Sequence, residues 1–266
     1  MISPLPRASS GGGVGRAFRY LYRVPLLLVH IFLLLPLVLL SMVPLWSWLR
    51  VGGLRIEHLA IKLWSAGLMR IFGFRLRSTG TPLPDPVMFV ANHVSWVDIE
   101  MLHSQRMMGF VAKQEIRGWP VVGWLTARGE TIFHQRGSQE SMGGVMHAML
   151  ARLQAGRAVG VFPEGRTRDG SAVGPFHARI FQPAVEAGVP VQPVALRYGR
   201  QGCAQTVVAF GPTESFFANF VRLLGEPPRS ADICFLAPIA AGELEGRSRI
   251  ADLARERIIA AMDVDA

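Results

Sequence analysis

One stretch constrains this chain more than any other: VPLLLVHIFLLLPLVLLSMVPLWSWL, Val24 to Leu49, 26 residues without a formal charge. About 20 helical residues cross the hydrocarbon core of a bilayer. The run must therefore enter lipid or be covered by the rest of the fold. Arg16, Arg19 and Arg23 precede it, and Arg50 and Arg55 follow, so its basic flanks do not set an orientation. Pro36 and Pro44 either kink a single span or bend the run into a re-entrant hairpin. Trp46 and Trp48 suit a membrane–water interface. A signal peptide fits poorly, because the run is too long and no small-residue cleavage site follows. Residues 54–73 mix apolar and basic positions, and read as an interfacial helix or equally as a core-facing one. Residues 1–17, rich in Gly, Ser, Pro and Arg, read as a disordered basic N-terminus.

The chain has 266 residues, half of them hydrophobic, and a formal charge of +9. Only Lys62 and Lys113 are lysines, so arginine carries the excess. A basic chain favours anionic partners. The arginines are dispersed, so a lipid surface explains them better than nucleic acid does. Cys203 and Cys234 form no CxxC pair or zinc spacing, and the seven histidines are scattered, so no metal site is expected. From residue 74 onward short apolar runs (86–91, 108–113, 158–162, 189–196) alternate with helical stretches (96–105, 138–155, 177–187). TVVAF and ICFLAPI follow, then a helical stretch from Glu243 to Met262. The pattern predicts an α/β domain over 74–266 with a largely parallel central sheet flanked by helices, behind a hydrophobic anchoring segment over 18–73.

Four stretches carry chemistry. In FVANHVSWVDIE, Asn92 and His93 end a strand, and Ser95 suits the N-cap of a helix holding Asp98 in its first turn. Two residues five apart within one helix point about 140° apart. With His93 just before the helix, Asp98 reaches back to the imidazole and fixes its tautomer, as a general base requires. The alternative is a histidine satisfied inside a core. GETIFHQRG places Arg136 on a loop after a strand, where it grips phosphate or carboxylate, or is a solvated charge. VGVFPEGRTRDG runs a strand into Phe162, Pro163, Glu164 and Gly165, then Arg166, Thr167 and Arg168. Glu164 there binds substrate hydroxyls or braces the arginines. AGVPVQPVAL is a buried strand whose role is packing, or at most shaping an acyl pocket.

Taken in order, these stretches resemble the PlsC-like glycerolipid acyltransferases over roughly residues 75 to 200. The match rests on NHVSWVD, ETIFHQRG, FPEGRTR and VPVQPVA, behind a hydrophobic segment similar to that family's anchor. The resemblance implies that His93 is the base and Asp98 its orienting partner. Asn92, Ser95, Phe162 and Pro163 would support them. It further implies an acceptor site made by Arg136, Glu164, Gly165, Arg166, Thr167 and Arg168. A lysolipid hydroxyl would attack an acyl carrier protein or coenzyme A thioester at a membrane surface, with no cofactor. The setting implied is a bacterial inner membrane, with the site facing the cytoplasm. Lysophosphatidate is the first acceptor expected. Lyso-ornithine lipid is the alternative, because GRTR departs from the family's common Gly-Thr-Arg-Ser and RTRDG resembles the subgroup acting on that lipid. A membrane hydrolase is a competing class, but no Gly-x-Ser-x-Gly elbow occurs. A non-catalytic membrane scaffold is a third.

Overall fold

A computed structural model describes residues 13–46, 48–118, 123, 131–134 and 139–263. The first helical run is α1 (Gly13–Val29), a π-helical turn (His30–Leu34) and α2 (Leu35–Ser41). The π turn sits just ahead of Pro36, which has no N–H to give the helical ladder, and it absorbs that mismatch. The chain then reverses. A 3-10 turn (Pro44–Trp46) and a short ribbon of β1 (Arg50–Val51) and β2 (Leu54–Arg55) lead into α3 (Ile56–Ile71). Gly13–Ala17 are helical rather than disordered, while residues 1–12 lie outside the described residues.

α3 packs against the π turn through a specific contact. The His30 ring stacks on Trp64 with centroids 5.0 Å apart, and its Nε2 pairs with Trp64 O at 3.0 Å. A Cβ on Gly67 would come within 2.8 Å of that ring, so glycine permits the approach. The segment also binds the rest of the chain along its length. Near its start Arg16, Arg19 and Arg23 reach Glu226, Gly225 O and Leu224 O. Further on, Val38 packs with Ile61 and Met107. The opposite face leaves Phe18, Leu21, Leu28, Phe32, Leu37 and Leu40 exposed.

Seven strands follow in the order β3-β9-β8-β4-β7-β5-β6. They are β3 (Phe74–Thr79), β4 (Met88–Ala91), β5 (Gly109–Lys113), β6 (Ile132–His134), β7 (Val159–Val161), β8 (Val191–Tyr198) and β9 (Arg229–Phe235). All neighbours are parallel except β8 and β9. Among the described residues, helices α4 (Val97–His103), α5 (Gln139–Gln154), α6 (Gln182–Ala187), α7 (Gln205–Val208), α8 (Phe216–Leu224) and α9 (Arg247–Asp263) flank these strands. Side chains alternate across the sheet. Along β4, Phe89 and Ala91 join the core shared with Leu27, Met69, Met101 and Phe235. Met88 and Val90 join the core of Met149, Leu153, Phe181 and Ala254 on the other face.

Two further expectations are corrected. TVVAF is not a strand: α7 opens at Gln205, whose side chain ties Tyr198 N and Leu196 O, and this tertiary pairing overrides β-branched propensity. ICFLAPI is a strand only through Phe235, because β9 starts earlier, at Arg229.

Candidate active site

The central strand β4 lies between β7 and β8, parallel to both. Their carboxyl ends therefore meet on one edge, where open α/β sheets place their sites. β4 delivers Asn92 and His93, β7 delivers Phe162 to Arg168, and β8 delivers Leu196 to Tyr198.

Asn92 fastens the first of these ends. Its Nδ2 donates to Leu196 O at 3.0 Å and its Oδ1 accepts from Leu196 N at 2.8 Å. The residue is buried, and this double bond satisfies its amide. His93 follows, and its Nδ1 donates to Asp98 Oδ2 at 2.8 Å. Asp98 is fully buried. The same oxygen accepts from Val94 N at 2.7 Å and Ser95 N at 2.9 Å. Its other oxygen, Oδ1, accepts the Tyr198 hydroxyl. A carboxylate so engaged fixes the imidazole with Nδ1 protonated and leaves Nε2 as the nitrogen that takes a proton.

Ser95 does not play the capping role expected of it. α4 starts at Val97, and no side chain caps it. Ser95 Oγ is buried without a hydrogen-bond partner. The reason is local: the N–H that such a cap would take, that of Asp98, donates to the backbone oxygen of Ser95 at 3.2 Å instead. A hydroxyl in that state is not activated by His93, which argues against Ser95 as a nucleophile.

The ring plane of His93 is set by stacking. Phe162 lies 3.9 Å from it, centroid to centroid, with 14° between planes. Phe110 continues the stack at 5.5 Å and 8°. Gly160 makes room for this, since a Cβ there would come within 2.5 Å of the Phe110 ring.

The turn after β7 closes around the same histidine. Gly165 takes φ 71°, which glycine adopts without strain, and its N–H bonds Phe162 O at 3.0 Å. Arg168 N donates to His93 O at 2.8 Å, and His177 N donates to Pro163 O at 2.9 Å. Glu164 is 2% exposed. Its Oε1 accepts from His93 N and its Oε2 from Gly174 N, both at 2.9 Å. Arg168 Nε stands 3.3 Å from Oε2. Burial pushes the Glu164 carboxyl above the usual range, while those two N–H groups and the nearby arginine pull it back. Of the two roles open to Glu164, its hydrogen bond from His93 N and its ion pair with Arg168 support bracing. Gly165 and Arg166 are exposed, while Thr167 and Arg168 are half-buried. With Asp169, Ser171 and Gly174, residues 166–168 line a surface cleft of about 440 Å³. Arg136 lies outside the described residues.

Sequence reasoning missed Tyr198, Gln205 and Gly174. Tyr198 stands at the end of the apolar strand, and nothing local marks it. Among the described residues, no group of three or more His, Cys, Asp or Glu is placed to hold a metal ion.

Residues 75–197 match the family model described as Acyltransferase. The chain is 36% identical over 213 residues to a lyso-ornithine lipid O-acyltransferase of Pseudomonas aeruginosa, covering 79% of this chain and 81% of that one. It is 34% identical over 183 residues to a 1-acyl-sn-glycerol-3-phosphate acyltransferase of Neisseria gonorrhoeae, covering 69% and 72%. A lyso-ornithine lipid O-acyltransferase of Brucella abortus is 40% identical over 139 residues, covering 49% and 52%. The fold is that of a crystal structure of the acyltransferase PlsC from Thermotoga maritima, with TM-score 0.73, 19% identity, and 94% and 95% of the two chains covered.

Proposed function

The chain belongs to the acyltransferase family of lipid biosynthesis, and from that premise we propose that it is a lysolipid O-acyltransferase in which His93 is the general base. The observation that carries this reading is the His93–Asp98 pair at 2.8 Å, braced from three strand ends. The acceptor hydroxyl loses its proton to His93 Nε2 as its oxygen forms the ester bond to the acyl carbon. The carbon–sulfur bond of a thioester donor breaks, and the imidazolium returns the proton to the leaving thiolate. No acyl-enzyme forms. Asp98 stabilises the imidazolium, and Glu164 keeps the His93 backbone in place.

The arginine-bearing cleft over 166–168 suits an anionic headgroup, with Arg136 assigned to the same task by resemblance. Lyso-ornithine lipid is our preferred acceptor, supported by the RTRDG turn and by the Pseudomonas relative. Lysophosphatidate is the second reading, supported by the Neisseria relative. Acyl carrier protein and coenzyme A thioesters are the two donors to distinguish. The apolar face of the first helical run supports attachment to a membrane, and the bacterial relatives support an inner membrane with the site placed on its cytoplasmic side by resemblance.

Purified enzyme in detergent, offered both acceptors at equal concentration with each donor, tests this reading. His93→Ala should lower kcat by about 10²–10⁴-fold. Activity within tenfold of wild type would sink the base assignment. Faster use of lysophosphatidate would move the acceptor to the second reading. Arg136→Ala should raise the acceptor KM more than it lowers kcat.

A further inference from the structure

Tyr198 closes β8 and is fully buried. Its hydroxyl donates to Asp98 Oδ1, the carboxylate oxygen that His93 does not use. The strand end that carries it is also held at its backbone. Tyr198 N donates to Gln205 Oε1 at 2.8 Å, and Gln205 Nε2 donates to Leu196 O at 3.0 Å. Leu196 is the residue that Asn92 grips with its amide. The ends of β4 and β8 and the start of α7 thus form one closed hydrogen-bond circuit, with His93 and Asp98 inside it. Burial and the adjoining carboxylate push the Tyr198 hydroxyl well above its ordinary range, so it remains a neutral donor.

We propose that Tyr198 is a positioning residue for acyl transfer, which tunes the basicity of His93 by drawing charge from Asp98. A buried tyrosine needs an acceptor for its hydroxyl, and a backbone carbonyl would serve that need. This one spends its donor on the carboxylate that orients the base. Hydrogen bonds to a carboxylate delocalise its charge and weaken its hold on a neighbouring cation. The inference rests on His93 being the base. The other ionisable groups around the pair are Glu164 at the His93 backbone, Arg168 beside Glu164, His177 next to Gly165, and Glu100 further along α4. None of them is altered by the test.

Removing the Tyr198 hydroxyl leaves Asp98 with more localised charge, so the imidazolium is held more firmly. Tyr198→Phe should therefore move the acid limb of the kcat/KM–pH profile upward by about 0.5–1 unit. The rate below that limb should fall about three- to tenfold, with a smaller change on the plateau. A fluorinated tyrosine donates more strongly and should move the limb the other way. Biosynthetic replacement is practical, because the chain has only three tyrosines and the other two, Tyr20 and Tyr22, lie on α1. Wild type, Tyr198→Phe and the fluorotyrosine enzyme are compared in the same detergent. Opposite shifts support the proposal. A limb that stays in place in every variant that folds overturns it, since a purely structural tyrosine would change yield or Tm and leave the limb alone. If Tyr198→Phe does not fold, the fluorotyrosine arm decides. His93→Ala run in parallel separates the two failures: an active alanine variant removes the base and this inference together, whereas an inactive one beside an unmoved limb removes only the role of Tyr198.

Discussion

Asp98 meets four donors with two oxygens: His93 Nδ1, Val94 N, Ser95 N and the Tyr198 hydroxyl. That inventory makes Asp98→Asn a severe change despite its equal size. The amide keeps one acceptor oxygen and turns two donor hydrogens toward groups that also donate. We expect kcat to fall by about 10²–10⁴-fold and stability to fall by about 1–3 kcal/mol. Steady-state kinetics and a denaturant melt measure the two losses. A variant with wild-type kcat would mean that His93 needs no orienting partner. The sequence made this pair legible because both members lie in one short segment, with the histidine just ahead of the helix. Tyr198 lies 100 positions from Asp98 and closes a strand that reads as packing alone. Glu164 was legible as a residue but not as a role. Only its bonds to His93 N and Gly174 N separate bracing from substrate contact.

Among the elements, the packing of α4 on α3 holds a carboxyl in an awkward place. Glu100 lies two residues after Asp98, and its Oε2 is buried without a hydrogen-bond partner. Desolvation of this half-buried residue pushes the Glu100 carboxyl up to about 7 from an ordinary value of 4.5, with the Ser65 side chain pulling it part of the way back. Below about pH 4.5 the proton is bound in both the folded and the unfolded chain. From there to about pH 7 only the folded chain keeps it, so stability falls as pH rises through that window. Above it the full cost of the buried charge remains. Glu100→Gln should flatten this dependence and raise Tm by about 2–4 °C or more at pH 8, with little effect at pH 4.5. Melts of both proteins across that range, in one detergent, check it. An equal slope in the two would show that the carboxyl is solvated. The elements themselves were legible where apolar runs are long and bounded by turn residues, as in β4, β7 and β8. α8 was not read from FFANFVRLL, although Ser215 supplies an N-cap that accepts Ala218 N at 3.2 Å. α7 shows the opposite case, where Thr206, Val207 and Val208 favour a strand and the bonds of Gln205 decide for a helix.

For the whole molecule, the open question in the sequence was whether residues 24–49 cross the bilayer or turn back. The flanking arginines carried no answer, because three of them have another task. Arg16, Arg19 and Arg23 reach Glu226 and the carbonyls closing α8, where a helix end favours positive charge. Arg23 is 1% exposed, so it is an internal tie rather than a topology signal. Val38, much further along, still lies in one apolar cluster with Ile61 of α3 and Met107 of the domain. A helix touching the same domain near both ends cannot take one of them through about 30 Å of hydrocarbon while that domain stays outside. The prediction is attachment to one leaflet, with the exposed face of α1 and α2 in lipid. Val14 and Val51 are 87% and 49% exposed and stand before and after the apolar run. Each is changed to cysteine in a Cys203→Ser background, because Cys203 is exposed and Cys234 is buried. Membrane vesicles of both orientations are then treated with an impermeant maleimide. Single-leaflet attachment predicts that both cysteines react from the side that also exposes the catalytic domain to protease. Val14→Cys and Val51→Cys reacting from opposite sides would establish a span, and would require the contacts of Arg23 or Val38 to open in the bilayer.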